Sequence, residues 1–342
     1  MAMLTRPELS TGGGVIQVDD FYRTMIEAAA GAHGPQNSQP WHFHVGDDRV
    51  YAGLDMNRLL HVADPQKRIA WVSLGAAVEN ARLTALAGGA NPVITFTGHP
   101  DWPVEISFAA EAAKPTSDTN LAGWIPRLSQ YRGPFTTPAI SPAEYTAAGR
   151  AGLPSAALTK LEANARHEFA DFAEAAVSEA LADADCRQDL QRWMRLRGEN
   201  AKRPIDGITL DAMGLSGVKK LAAPYALMPP LNRVAGFPGR SGREAREMAL
   251  AAPDIFLVTC DTEDARGWFE GGRGMQRVLL ALCGSGIATF APVPLLAGDW
   301  QVDELRRLFT RPRGGIVAVV RAGRPAIDPA RLPLRPAEDF LA

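Results

Sequence analysis

Two stretches 197 residues apart begin alike, and a chain that repeats a buried helix in this way has few ways to fold. Trp71-Val-Ser-Leu-Gly75 and Trp268-Phe-Glu-Gly-Gly272 each open an apolar segment; at the same offset Leu83 matches Leu280 and Gly89 matches Gly286, four identities in nineteen positions. Each copy places Gly one helical turn after Trp, where the missing Cβ lets another helix come close. Two readings stand. One is coincidence between two Ala- and Gly-rich core helices. The other is a duplicated unit, two copies packed face to face inside one chain.

A chain of 342 residues holds two ordinary domains or one large one. A hydrophobic content of 46% excludes wholesale disorder. Net charge is −2 and Lys and Arg are spread along the chain, which does not suit a nucleic-acid surface. Cys186, Cys260 and Cys283 are odd in number and unclustered. They fit reduced thiols in a cytoplasmic setting, with no disulfide framework and no metal site. Residues 1–18 contain Pro7, three glycines and no apolar signal core, and read as a flexible tail. Val278 to Gly298 is apolar over a bilayer's length, but Gly284, Gly286, Pro292 and Pro294 break it. It reads as a buried helix end followed by a strand, with no membrane partner.

Asp19 and Asp20 cap an amphipathic helix running from Phe21 to Ala30. Trp41 to Val45 and Arg49 to Leu54 flank a hairpin signal at Gly46-Asp47-Asp48. Asp64-Pro65 opens a helix ending at Gly88-Gly89, and Pro92 to Gly98 and Val104 to Ala109 read as strands. The breaker-rich Lys114 to Asn120 marks a boundary, giving halves 19–118 and 119–342. Helices are expected from about Ser155 to Arg197, a strand over Ile255 to Cys260, a helix over Asp264 to Leu282 and a last strong strand over Ile316 to Val320. Pro204 to Gly242 is rich in Gly and Pro and carries apolar residues without clear periodicity, as a lid or a structural insertion over a sheet edge would.

Three stretches carry chemistry. Gly34-Pro35-Gln36-Asn37-Ser38-Gln39-Pro40-Trp41 holds two side-chain amides between prolines and an indole. Amides donate and accept, so Asn37 and Gln39 suit the edge of a flat heterocycle; equally, they suit the backbone of an ordinary helix-to-strand loop. Arg127-Leu128-Ser129-Gln130-Tyr131-Arg132 offers two guanidinium forks and a hydroxyl for a phosphate, or a solvated basic turn. His42 and His44 share one strand face without a third metal ligand in view, and read as surface or interface histidines. No Gly-x-Gly-x-x-Gly, Walker loop, Gly-x-Ser-x-Gly or His-Glu-x-x-His occurs, and no catalytic acid is assigned.

The loop at Asn37-Ser-Gln39-Pro40-Trp41 resembles the Pro-Ser-x-x-Asn-x-Gln-Pro-Trp loop of the FMN-dependent nitroreductase family, with Gly34 in place of the Ser and Pro35 beside it. Arg127 to Phe135 resembles the family's Arg-Arg-Ser-x-Arg-x-Phe opening, in the version of its fused, two-copy, Acg-like branch. Leu334-Arg335-Pro336-Ala337-Glu338 resembles its closing Arg-Arg-Pro-Leu-Glu. The resemblance implies an α+β, nitroreductase-like fold: two tandem copies forming an intramolecular pseudo-dimer, each a mainly antiparallel sheet flanked by helices, with the insertion at 204–242 in the second. It implies an FMN phosphate held by Arg127, Ser129, Arg132 and Arg335, with Arg324 a weaker candidate. Asn37, Gln39, Pro35 and Gly34 would reach the ring from the first half, and Pro292 would lie beside the ring. One FMN per chain is then expected at the seam, with NAD(P)H as reductant and a planar nitroaromatic, quinone or enone as acceptor. The alternative is a flavin-sequestering, stress-associated protein with little turnover.

Overall fold

The structure, a computed structural model, describes residues 19–114, 116–215, 217–226, 236–310, 312 and 314–342. The expected tail 1–18, and residues 216 and 227–235 of the expected insertion, lie outside the described residues.

Asp19 caps α1 (Asp20–Ala30) by accepting from the amide of Phe21, and the helix turns Tyr22, Met25, Ile26 and Ala29 inward. A hairpin follows, β1 (Trp41–Val45) and β2 (Arg49–Leu54), with Trp41 opposite Leu54 and Val45 opposite Val50. Alternation buries Trp41 and Phe43 and leaves His42 and His44 on the other face. Then come α2 (Arg68–Ala87), β3 (Pro92–Phe96) and β4 (Val104–Phe108). The four strands form one antiparallel sheet in the order β1-β2-β4-β3. Asp64 does support the start of α2, accepting from Ala70 N at 2.9 Å, but the helix itself begins at Arg68.

The second region runs through α3 (Ser117–Ala122), β5 (Phe135–Thr136), α4 (Pro142–Ala151), β6 (Ala156–Lys160), α5 (Arg166–Ala182) and α6 (Ala184–Gln191). It continues with β7 (Met194–Arg195), α7 (Glu199–Lys202), β8 (Ile208–Thr209), α8 (Gly217–Ala226), α9 (Phe237–Ala251) and β9 (Asp254–Cys260). It ends with α10 (Ala265–Gly284), β10 (Ala288–Phe290), α11 (Asp299–Leu308) and β11 (Gly315–Pro325). Its sheet is also antiparallel, ordered β10-β11-β9-β6, with β5 beside the end of β11. The architecture is therefore α+β, two antiparallel sheets with helices packed on them.

Ala156–Lys160 corrects the expectation of continuous helices from Ser155: it is a strand, held by pairing with β9. An open sheet edge overrides a modest helix preference. The segment 204–242 is not a bare loop either. It supplies β8, α8 and the first turns of α9, and α9 packs along α5.

The two sheets meet through α2 and α10. Both helices are 20 residues long, and their bounds differ by the same 197 positions as the Trp and Gly matches. A Cβ on Gly75 would stand 2.0 Å from the carbonyl oxygen of Phe269, and one on Gly272 would stand 2.0 Å from that of Val72. Phe269 and Val72 are themselves matched positions, so the contact is isologous: each helix offers the other the same surface. Polar pairs repeat the pattern. Gln276 Nε2 donates to Asn80 Oδ1 at 2.8 Å, and at the matched positions Arg277 Nη1 donates to Glu79 Oε1 at 3.1 Å.

The C-terminal residues cross back. Phe340 stacks on Trp41 (6.3 Å between centroids, 7° between planes), Leu341 bridges to Phe43, and Ala337 joins the first core. A boundary at 118/119 thus falls inside α3, and the last residues pack with the first sheet rather than the second. Among the described residues no helix is long and apolar enough to cross a membrane.

Candidate functional site

The amide loop is locally strained. Gln36, Asn37 and Gln39 have φ of 48°, 51° and 50°, a left-handed conformation that costs non-glycine residues of order 1 kcal/mol each. Its two amides hold it in place. Asn37 Nδ2 donates to Gly207 O (3.1 Å) and Pro333 O (2.8 Å); Gln39 Nε2 donates to Ile205 O and Pro333 O (both 3.3 Å). Gln39 Oε1 accepts from Arg335 N at 3.1 Å, and Gly207 N donates to Asn37 O at 3.0 Å. These bonds are the backbone-satisfying use of Asn37 and Gln39. They stitch the loop to segments 166 to 296 positions away in sequence.

The two arginines expected to share a phosphate have different partners. Arg335 is buried under the loop: Nη1 donates to Gln39 O at 3.3 Å, Nη2 donates to Asp339 O, and the guanidinium sits 4.3 Å from the Phe340 ring. Burial first, and Arg58 second, hold its pKa below the ordinary value. Arg127 instead lies over Trp124 at 5.4 Å, near enough to Cys283 to act on its thiol. The spacing of their motifs could not reveal this, because the Gln39 carbonyl that takes Arg335 lies 296 positions away in sequence. Arg324 is also taken, by Glu144 (2.7 Å) and Ser285 O (3.2 Å).

Two hollows flank the loop and share Gln130, whose Nε2 donates to Gly34 O at 2.7 Å. The first, about 560 Å³, is lined by Asn37, Ser129, His33 and the chain from Arg331 to Leu334. The second, about 570 Å³, is lined by Gln36, Arg132, Pro292 and Arg321 among others. The expected site residues are thus divided: Asn37 and Ser129 face one hollow, Arg132 and Pro292 the other. Pro35 is buried at the start of the turn, and Gly34 lies against Trp41, where a Cβ would approach the indole to 3.3 Å.

The second hollow has the unusual electrostatics. Arg132 and Arg321 both rest on Phe290, at 4.5 and 5.7 Å from its centroid. Arg132 Nη1 and Arg321 Nε are buried with no hydrogen-bond partner among the described residues. The bonds these two side chains do make are to neutral acceptors and are long: Arg132 Nη2 to Gln36 Oε1 (3.5 Å), Arg321 Nη1 to Met248 O (3.2 Å) and Nη2 to Gly133 O (3.5 Å). Burial, then the like charge of Arg321, pushes Arg132 down to about 10, and burial pushes Arg321 down to about 10. Two neighbouring cations without a carboxylate are costly unless an anion completes the site. The same arrangement pushes the His33 imidazole down to about 4, through burial first and the Arg132 charge second.

Arg321 escaped the sequence reading, which ended its strand at Val320. The available signal was a lone guanidinium after five residues of an apolar strand, at a position β11 buries almost completely. A charge there demands a partner. Elsewhere, the His42 and His44 rings lie tilted against Trp102 at 4.6 and 5.6 Å, and no group of three metal-ligating side chains occurs among the described residues.

In sequence the chain matches the putative NAD(P)H nitroreductase acg of Mycobacterium tuberculosis, at 27% identity over 88 residues. That match spans 26% of this chain and 27% of the relative, about a quarter of each. No protein-family profile matches. Among solved structures, an FMN-bound nitroreductase from Desulfitobacterium hafniense overlays on 65% of this chain and 96% of its own, at 15% identity and a TM-score of 0.39. The FMN-dependent nitroreductase NfnB of Mycobacterium smegmatis, solved with NADPH, overlays on 60% of this chain and 88% of its own, at 16% identity and a TM-score of 0.37.

Proposed function

We propose that this chain is an FMN-binding oxidoreductase of nitroreductase type, with its cofactor in the hollow bearing Arg132 and Arg321. The observation that carries the reading is the pair of buried guanidiniums with unused donors. FMN fits them: it is anionic, and it is flat enough to lie along the Ala291 to Leu295 turn and the apolar wall beyond it. Arg132 and Arg321 would hold its negative charge. Pro292 would bound the hollow on one side, and Gln36 would bring the first half's loop to it. When bound, FMN supplies two-electron hydride chemistry, taking reducing equivalents from NAD(P)H and delivering them to a flat acceptor. The protein's part is to keep the site dry and positive, so that negative charge is stabilised there. The isologous α2–α10 contact supports one complete site per chain, built at the seam of an internal pseudo-dimer.

A second reading has an observation of its own. Met213, Gly214, Leu215 and Lys219 from the 204–242 segment line the same hollow, as do Ser241, Glu244 and Met248 of α9. A wall that closes over the flavin would bar nicotinamide and leave a flavin-holding protein with little turnover. Anaerobic mixing of the yellow protein with NADPH and with NADH separates the two. Loss of the flavin's visible band with either reductant supports the enzyme. No bleaching with either supports the flavin-holding protein.

A further inference from the structure

α8 presents an apolar face to solvent. Val218, Leu221 and Tyr225 fall at i, i+3 and i+7, on one stripe of the helix, and are 81%, 76% and 61% exposed. Ala222 extends the stripe and is exposed too, while Ala223, on the opposite side, is buried. Three large apolar side chains on one exposed helix face differ from the scattered single ones of an ordinary surface. Cations gather beside them. Arg197, Lys220, Leu221 and Tyr225 line one surface hollow of about 620 Å³, and no carboxylate lines it among the described residues. Arg197 lies 4.2 Å from the centroid of the Tyr225 ring and has no carboxylate partner among the described residues. Lys219 and Lys220 pair with Glu244 (3.7 Å) and Asp211 (2.7 Å), but both pairs are exposed, where an ion pair contributes little and exchanges freely. Residues 192–226 carry seven Lys and Arg against three Asp and Glu, an excess of four in a chain whose net charge is −2, so the remainder carries −6.

We propose that this face docks on an anionic phospholipid bilayer, with α8 lying in the plane of the headgroups. Val218, Leu221 and Tyr225 enter the acyl boundary, and Arg197 and the two lysines meet lipid phosphates. Tyrosine suits that level, being apolar along its ring and polar at its tip. α8 has ten residues, too few to cross a bilayer, so the contact is with the surface. A second copy of this chain fits the face less well. A two-fold contact through it sets the Arg197 and Lys220 cluster against its own image, and like charge opposes that. A neutral surface leaves the excess of cations unused. Leu215 and Lys219 also line the hollow of Arg132 and Arg321, so docking brings the rim of that hollow to the bilayer. Nothing in the face requires flavin, and the chain docks alike with or without it.

The test is co-sedimentation of the full chain, as purified, with phosphatidylcholine vesicles and with vesicles in which about a third of the lipid is phosphatidylglycerol. The anionic vesicles are expected to hold the chain roughly tenfold more tightly than the neutral ones. The double variant Val218→Ser, Leu221→Ser is expected to lose about tenfold of that affinity, and Arg197→Gln to weaken it severalfold. Val93→Ser, at an exposed apolar position of β3, is expected to leave it unchanged. All these side chains are at the surface, so the melting temperature of each variant should stay near that of the wild type. Absence of binding to the anionic vesicles overturns the proposal, as does equal binding to both kinds. Binding that survives the double variant undiminished overturns it too, since another surface would then carry the contact. A concentration-dependent dimer, formed without lipid and abolished by the double variant, assigns the face to a second copy and also overturns it.

Discussion

Gly75 and Gly272 face each other's helices across the α2–α10 seam, each within 2.0 Å, by its absent Cβ, of a backbone carbonyl oxygen on the other helix. Neither oxygen can move without shifting its own helix, so the seam requires glycine at both positions.

Gly75→Ala or Gly272→Ala is therefore expected to destabilise the chain. Alanine ordinarily favours an interior helix position by about 1 kcal/mol. Overpacking against backbone outweighs that, leaving a net loss of roughly 1–3 kcal/mol. Denaturant unfolding reads it directly. A stabilising effect at both positions would mean the helices do not meet as described.

Glu79 is fully buried; it touches Arg82 of its own helix (2.7 Å) and, across the same seam, Arg273 (3.0 Å) and Arg277 (3.1 Å). Burial works to raise its pKa, but the three arginines together hold it below the ordinary value. Glu79→Gln leaves buried cations without a counter-charge and is expected to cost about 3–5 kcal/mol. Its conjugate test is acid. A depressed carboxylate contributes stability above its unfolded pKa and loses it as pH falls through the folded one, so this part of the stability drains below about pH 4. Thermal unfolding of wild type and variant should converge there.

His33 gives a separate pH window. Its pKa is pushed down from 6.5 to about 4, so the unfolded chain binds a proton between those values and the folded chain does not. Stability should fall as pH drops from about 6.5 to about 4, by up to roughly 3 kcal/mol. His33→Asn should flatten the curve over that window alone. An unchanged slope would show that the imidazole is not buried beside Arg132.

Arg335→Ala should act as a fold mutation. It removes the donors to Gln39 O and Asp339 O and the contact with the Phe340 ring. A loss of about 1–3 kcal/mol is expected from the carbonyls left unpaired, with looser docking of the C-terminal residues on β1. Hydrogen exchange at the Ala342 amide, which donates to Phe43 O, would report it.

Much of the fold could be read in the sequence, and the reasons are local. Period-two burial at Trp41 and Phe43, the Asp19 cap and the Trp–Gly repeat each follow from nearest neighbours or from a fixed offset. Ala156–Lys160 was not legible, because its strand state comes from β9, about a hundred positions later. Of the expected site residues, Arg132 and Pro292 line the second hollow, while Arg127 lies over Trp124 and Arg335 donates to Gln39 O, partners that motif spacing alone does not specify. Arg321 carries no motif, only a charge out of keeping with its strand.

The most direct test of the central claim is a titration of flavin-stripped protein with FMN, following loss of flavin fluorescence, for the wild type, Arg132→Gln, Arg321→Gln and Arg127→Ala. One FMN per chain should bind to the wild type. Loss of a charge-assisted contact at Arg132 or Arg321 should weaken binding by tenfold or more, roughly 1.5–3 kcal/mol, while Arg127→Ala stays near wild type. Wild-type affinity in both glutamine variants, or a wild type that takes up no FMN, would contradict the account.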